Sequence, residues 1–172
     1  VWNHNERSTG EAAGRALVVY KEPLYQEGYR LPSLFPTKRQ SQWQSAQIID
    51  VFDSLGYRVD VVAHDEDVDI DDPSAYDVIF GVNPNFYEFA KHAGPDTTTI
   101  EFATAMHWSQ RNEAIRNDYR RFNKKHGTDL EPRRIVGEYP SGGLADGVIV
   151  IGDEGTRRTY EAYLNETPIK NV

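Results

Sequence analysis

Short apolar runs alternate with helix-patterned segments along this chain, and this alternation limits the fold more than any other feature. The helical spacing is clearest in 41–55, where apolar residues recur every three or four positions and Gly56 ends the pattern. Such alternation predicts an α/β fold with an open, mainly parallel Rossmann-like sheet of about six strands and helices on both faces. The six runs of strand length are 15–20, 58–64, 77–81, 97–104, 146–152 and 169 onward.

Three further segments are predicted to be helical. In 83–93, Asn83 suits the N-cap and Pro84 the first helical position. A long helix at 106–126 carries an apolar stripe, and 156–164 forms the last helix. The stripe consists of Trp108, Ile115, Tyr119 and Phe122.

Length and composition restrict the domain organisation and the classes of partner. The 172 residues suit one domain, predicted to span 15–172 after a polar segment, 1–14, that is predicted to be a mobile tail. The net charge of −8 disfavours nucleic acid as a partner. Cysteine is absent, which excludes disulfides, thiolate catalysis and Cys-ligated zinc, and no two histidines stand at metal-ligand spacing with a carboxylate.

In open parallel sheets, ligands bind outside the carboxyl ends of the strands, so candidate residues are those that follow each run. Gly81, Asp153 and Thr156 are predicted to lie at the edge of such a cleft. His107 follows the fourth run, where an imidazole can accept a proton from a hydroxyl near neutral pH. A packed or surface histidine is the alternative at this position, and His64, which ends the second run, is a second candidate.

The connection 21–40 has 20 residues, which is long for a strand-to-helix loop and favours a functional role. An insertion that packs its aromatic residues on the sheet edge is the alternative. The acidic stretch 65–72 does not fit an EF-hand, but Asp65 and Asp67 match the short Asp-x-Asp motif with which one class of glycosyltransferases holds a metal and a nucleotide-sugar. A solvated acidic loop explains the same residues.

Charge is concentrated in 111–134, which holds eight basic and four acidic residues, a net +4 that leaves −12 for the rest of the chain. This segment is either a solvated helix face or a contact for an anionic membrane or a phosphorylated acceptor. Neither a Gly-x-Gly-x-x-Gly sequence after the first run nor a Gly-Lys-Ser/Thr sequence is present, so dinucleotide and P-loop binding are not supported.

Four segments together resemble the N-terminal domain of group 1 retaining glycosyltransferases with the GT-B fold: Lys38-Arg39 with 47–62, then 75–80, 104–114 and 145–163. The resemblance implies a parent enzyme that transfers a sugar from a nucleotide-sugar donor to an acceptor hydroxyl, with this domain presenting the acceptor. It also implies a second, C-terminal domain after Val172, no cofactor besides the nucleotide-sugar substrate, and a cytoplasmic location with peripheral contact at the inner membrane face.

The resemblance also assigns roles to residues. His107 is expected to line the cleft between the two domains and to assist transfer. The loop after the first strand lacks the Gly-Gly pair that many members have, and the Glu-x7-Glu region of the second domain is absent. Two alternatives stay open: a non-catalytic α/β ligand-binding module, and a metal-dependent nucleotide-sugar enzyme that uses Asp65 and Asp67. The residues expected to bind the acceptor are Tyr25, Lys38, Arg39, Gln40, Trp108 and Asn112.

Overall fold

The computed structural model describes residues 2–3, 12–21, 40–164 and 166–172. The strands within these ranges are β1 Trp2–Asn3, β2 Gly14–Tyr20, β3 Tyr57–Ala63, β4 Val78–Gly81, β5 Thr98–Ala103, β6 Gly147–Val150 and β7 Ile169–Asn171. The α-helices are α1 Gln40–Ser54, α2 Asn85–Ala90, α3 Trp108–His126 and α4 Glu154–Glu161.

All seven strands form one sheet in the order β1-β3-β2-β4-β5-β6-β7. The strands β2 to β7 are parallel, and β1 adds an antiparallel edge to β3. The predicted open, mainly parallel sheet with helices is therefore confirmed. Trp2–Asn3, inside the predicted tail 1–14, pairs with Asp60 and Val61, so these two residues belong to the sheet.

The sheet separates two apolar clusters. Ile49 and Phe52 of α1 pack on one face, while Phe86 of α2 and Tyr160 of α4 pack on the other. In β2, alternate residues enter the two clusters, and all of 16–19 are fully buried. A strand covered on both faces reads as a continuous apolar run, which is why the sequence pattern located it.

Two helices differ from their predicted form. The second begins at Asn85, and the preceding Asn83–Pro84 peptide is cis, so Asn83 does not cap it. In α3 only Asn112 is buried, and Phe122 of the predicted apolar stripe is 47% exposed. No helix among the described residues combines the length and apolar character needed to cross a membrane.

Candidate functional site

A cleft of about 270 Å³ lies at the carboxyl ends of β4 and β5, where the fold places ligand sites. We call it the carboxyl-edge cleft. Its walls are the loop after β4, the end of β5 with 103–106, the first turn of α3 and part of the segment 136–139. Its polar and aromatic lining residues include Asn83, Glu101, Trp108, Arg111, Tyr139 and Tyr160.

Glu101 is the charged group buried in this lining. Its side chain is on β5, and the residue is 7% exposed. One carboxyl oxygen accepts a hydrogen bond from Asn83 Nδ2 at 2.9 Å, and the other accepts one from Ser141 Oγ at 2.6 Å. Burial raises the pKa of Glu101 to about 7, although both hydrogen bonds act in the opposite direction. Near neutral pH this carboxyl can therefore both accept and donate a proton.

The partners of Glu101 are neutral. Among the described residues, no lysine, arginine or histidine forms a salt bridge with it. Asn83 Nδ2 also lies 3.1 Å from Ser141 Oγ, whereas the buried Asn83 Oδ1 has no hydrogen-bond partner in the described part of the chain. That oxygen is closed to solvent, so it is not a contact for a ligand in the cleft.

Aromatic side chains form much of the remaining wall. Trp108 Nε1 donates to the Tyr139 carbonyl at 3.0 Å, which joins the start of α3 to the opposite wall. The Tyr160 hydroxyl donates to the Ala105 carbonyl at 3.0 Å. Burial, and secondly the nearby Glu101 carboxyl, raise the pKa of Tyr160, so the phenol stays protonated at neutral pH. Rigid aromatic walls around a few polar groups are typical of small-molecule sites.

The structure corrects the expectation that His107 lines the cleft. His107 is 7% exposed and is the N-cap of α3, where its ring accepts from Ser109 N. The ring stacks on Tyr163 with centroids 4.3 Å apart and meets Tyr160 edge-on. Burial lowers the pKa of His107, so the ring is neutral at neutral pH. These contacts belong to a packing and capping residue.

Of the expected acceptor-binding residues, Trp108 lines the carboxyl-edge cleft, but Asn112 does not. The Asn112 amide is fully used by the backbone of Val136: its Nδ2 donates to the carbonyl at 2.9 Å, and its Oδ1 accepts from the N–H at 3.0 Å. Asn112 therefore positions the segment that forms one wall. Gln40 is the exposed first residue of α1, and Tyr25, Lys38 and Arg39 lie outside the described residues.

The three predicted cleft-edge residues lie outside the cleft lining. Gly81 is a close-packing position in β4, since a Cβ there would approach the Val19 carbonyl oxygen to 2.3 Å. Asp153 is the N-cap of α4 and accepts from the N–H of Thr156 at 2.9 Å. Hydrogen bonds from Thr156 lower the pKa of Asp153.

The acidic stretch does not gather around a common centre. Asp65 forms a salt bridge with Lys21 at 3.2 Å and lies 3.7 Å from His64 Nε2, while Val68 and Ile70 pack against the core. In the described ranges no group of three His, Cys, Asp or Glu side chains is placed to hold a metal ion. In the described part of the chain, the fold therefore brings no further metal ligand to Asp65 and Asp67.

Glu101, Ser141 and Arg111 are the site residues that sequence reasoning missed, while Asn83 follows the third run and was among the candidate positions. A single carboxylate inside a run of β-branched residues, 97–104, was the available signal for Glu101. Ser141 is 40 positions away from it, so the pairing of these two residues appears only in the folded chain. Comparison of the chain with protein-family models, with curated proteins and with solved structures gave no match.

Proposed function

We propose that this chain is the acceptor-presenting domain of a glycosyltransferase and that the acceptor binds in the carboxyl-edge cleft. The observation that carries the proposal is the position of a buried carboxyl, Glu101, among aromatic walls at the carboxyl edge of a parallel sheet. Aromatic faces cover the apolar side of a sugar or polyol, while the carboxyl hydrogen-bonds its hydroxyls.

Glu101 takes the role that the sequence suggested for His107. In its ionised form the carboxylate accepts the proton of the acceptor hydroxyl. The acceptor oxygen then forms the bond to the anomeric carbon of the donor sugar on the face from which the phosphate leaves, as retention requires. The bond from that carbon to the distal phosphate oxygen breaks, and its electron pair leaves on the nucleotide diphosphate. A pKa of about 7 suits this exchange for two reasons. At neutral pH a large share of the Glu101 carboxyl is ionised and can accept a proton, and the carboxylic acid formed by that transfer is weak enough to hold it.

The donor side of the proposal rests on the sequence resemblance. A second α/β domain beyond this chain would hold the nucleotide-sugar, and no other cofactor is proposed. Tyr25, Lys38 and Arg39 stay proposed contacts for the acceptor, and the cytoplasm stays the proposed location.

Glu101→Gln tests the proposal in the protein that carries this chain and the proposed second domain. The amide keeps the shape of the side chain but cannot accept the proton, so we expect turnover to fall by about 10²-fold with the fold intact. The matched control is Glu113→Gln, which makes the same change on the exposed face of α3. In the parent protein, activity should fall below pH 7 as Glu101 becomes protonated, and this acid limb should be missing in Glu101→Gln. Near-normal turnover of Glu101→Gln would contradict the proposal.

A non-catalytic ligand-binding module is the second candidate function. It is favoured by one observation: the carboxyl, the aromatic walls and Arg111 all line one cleft of this chain, so a small ligand has polar and apolar contacts here. Two experiments separate the functions. The first titrates the chain with the acceptor, and the second incubates the proposed two-domain protein with acceptor and nucleotide-sugar. Acceptor binding without transfer product would support the binding module.

Contact with an anionic membrane is proposed for the exposed part of α3 and the residues after it. Phe122 and Leu130 are 47% and 51% exposed and share a groove with Tyr119, next to the basic residues of 111–134. Apolar side chains flanked by positive charge suit the surface of an acidic bilayer. We expect binding to vesicles that contain phosphatidylserine at low salt and release as salt rises. Equal binding to neutral phosphatidylcholine vesicles would leave only a solvated helix face.

A further inference from the structure

The carboxyl-edge cleft has a positively charged end that the transfer reaction described above does not use. Arg111 lines the cleft from the first turn of α3, and its side chain is partly exposed. None of the described carboxylates forms a salt bridge with it. In a chain with 27 acidic and 19 basic residues, a guanidinium without a carboxylate partner in a cleft is a place for an anion from outside.

We propose that the cleft takes a phosphorylated sugar or polyol, with its phosphate on Arg111 and a hydroxyl at Glu101. This inference rests on the proposed function, since it names the chemical class of the acceptor. An arginine offers two parallel N–H donors that match two oxygens of a phosphate.

The opposite end of the cleft determines the orientation of the ligand. Above pH 7 the Glu101 carboxylate is negative and repels a phosphate, so the phosphate must lie at the Arg111 end. At the Glu101 end the carboxyl oxygens keep lone pairs beyond those bonded to Asn83 and Ser141, so this end takes a donor such as a hydroxyl. A ligand that satisfies both ends carries an anion and a hydroxyl on one small skeleton.

The size of the cleft favours a single ring or a short polyol. A volume of about 270 Å³ is just below the range for small-molecule sites, which is about 300–1,000 Å³. The diphosphate of a nucleotide-sugar is a second source of phosphate chemistry for Arg111. The two sources differ in what else they carry, so they can be separated by binding measurements.

Titration calorimetry on the chain tests the inference with three phosphorylated probes: glucose 6-phosphate, myo-inositol 1-phosphate and glycerol 3-phosphate. Glucose, myo-inositol and glycerol are the matched probes without phosphate, and uridine diphosphate represents the donor. We expect at least one phosphorylated probe to bind at least tenfold more tightly than its partner without phosphate. Arg111→Gln should remove this difference, and Arg116→Gln, an exposed arginine on the same helix outside the cleft lining, should retain it.

Three results would overturn the inference. The first is that no phosphorylated probe binds, and the second is that binding is the same in Arg111→Gln. The third is Arg111-dependent binding of uridine diphosphate with no binding of the sugar and polyol phosphates. In one form of the second result, an unphosphorylated probe binds tightly and Arg111→Gln does not weaken its binding. The phosphate contact at Arg111 is then wrong, but the proposed function stands, because transfer is tested separately with Glu101→Gln.

Discussion

Two buried carboxyl groups in this sheet have nearly the same exposure and very different partners. Asp60 on β3 is 6% exposed, and its carboxylate forms a salt bridge with Arg15 at 3.0 Å and accepts from the Tyr76 hydroxyl at 2.9 Å. Glu101 on β5 is 7% exposed, and both of its hydrogen-bond donors, Asn83 and Ser141, are neutral.

The difference shows how one sheet uses a buried carboxyl in two ways. Arg15 also lies over the Tyr76 ring, 4.5 Å from its centroid, and its hydrogen bond to Asp60 raises the pKa of Arg15, so the guanidinium stays charged and joins β2 to β3 through Asp60. No positively charged side chain in the described part of the chain pairs with Glu101, so burial dominates and its pKa rises to about 7. The first arrangement stabilises the fold, and the second suits proton transfer.

The largest expected effect is on the pH dependence of stability. Folded Glu101 has a pKa of about 7 against an ordinary 4.5, so the folded state binds its proton more tightly than the unfolded state does. This contribution to stability is fully present below pH 4.5 and is lost as pH rises through 7. Relative to Glu101→Gln, the parent should lose about 3 kcal/mol of unfolding free energy between pH 4.5 and pH 8. Urea unfolding at both pH values measures it, and a difference that does not change with pH would contradict the comparison.

Removal of the other carboxyl should act through lost pairing. Asp60→Ala leaves the buried Tyr76 hydroxyl without its acceptor and Arg15 without its counter-ion. Because Arg15 is half exposed, most of the cost comes from the hydroxyl, and we expect a loss of about 2 kcal/mol at neutral pH. Asp71→Ala, an exposed carboxylate, is the control and should change the unfolding free energy by less than about 0.5 kcal/mol. Equal effects of the two variants would mean that the Asp60 group is not a stabilising pair.

The smallest effect is expected at His107. His107→Asn keeps an N-cap acceptor for α3 but removes the ring that stacks on Tyr163, so stability should fall by about 1 kcal/mol. His107→Ala also loses the cap and should cost about 1 kcal/mol more. Turnover of the two-domain protein should stay close to normal in His107→Asn. A 10²-fold loss of turnover in this variant, with the fold retained, would move the proton acceptor from Glu101 back to His107.

The sheet could be predicted because burial on both faces leaves a direct mark on the sequence. Residues 16–19 are apolar without interruption, and they enter the two clusters alternately. The pattern of α3 was weaker: its apolar residues have helical spacing, but Phe122 remains exposed, since spacing identifies a helix and not the surface on which it packs.

The place of the candidate site could be predicted, but not its members. The rule for carboxyl edges pointed to the sheet edge where the carboxyl-edge cleft lies, and Trp108 is in its lining. The sequence favoured His107 because an imidazole titrates near neutral pH in water, yet burial lowers its pKa. Burial has the opposite effect on Glu101, whose donors come from 18 and 40 positions away in the chain. The order of pKa values inside a fold depends on such distant partners, which no local pattern contains.

The most direct test of the account is the titration of Glu101 itself. Carbon-13 NMR spectra of the side-chain carboxyl groups are recorded on the parent chain from pH 3 to pH 9. The Glu101 resonance is assigned as the one that the Glu101→Gln variant lacks. The account predicts a midpoint at about pH 7. A midpoint near 4.5, the ordinary value for a glutamate, would show a carboxylate that is already ionised at neutral pH and would contradict its role in proton transfer.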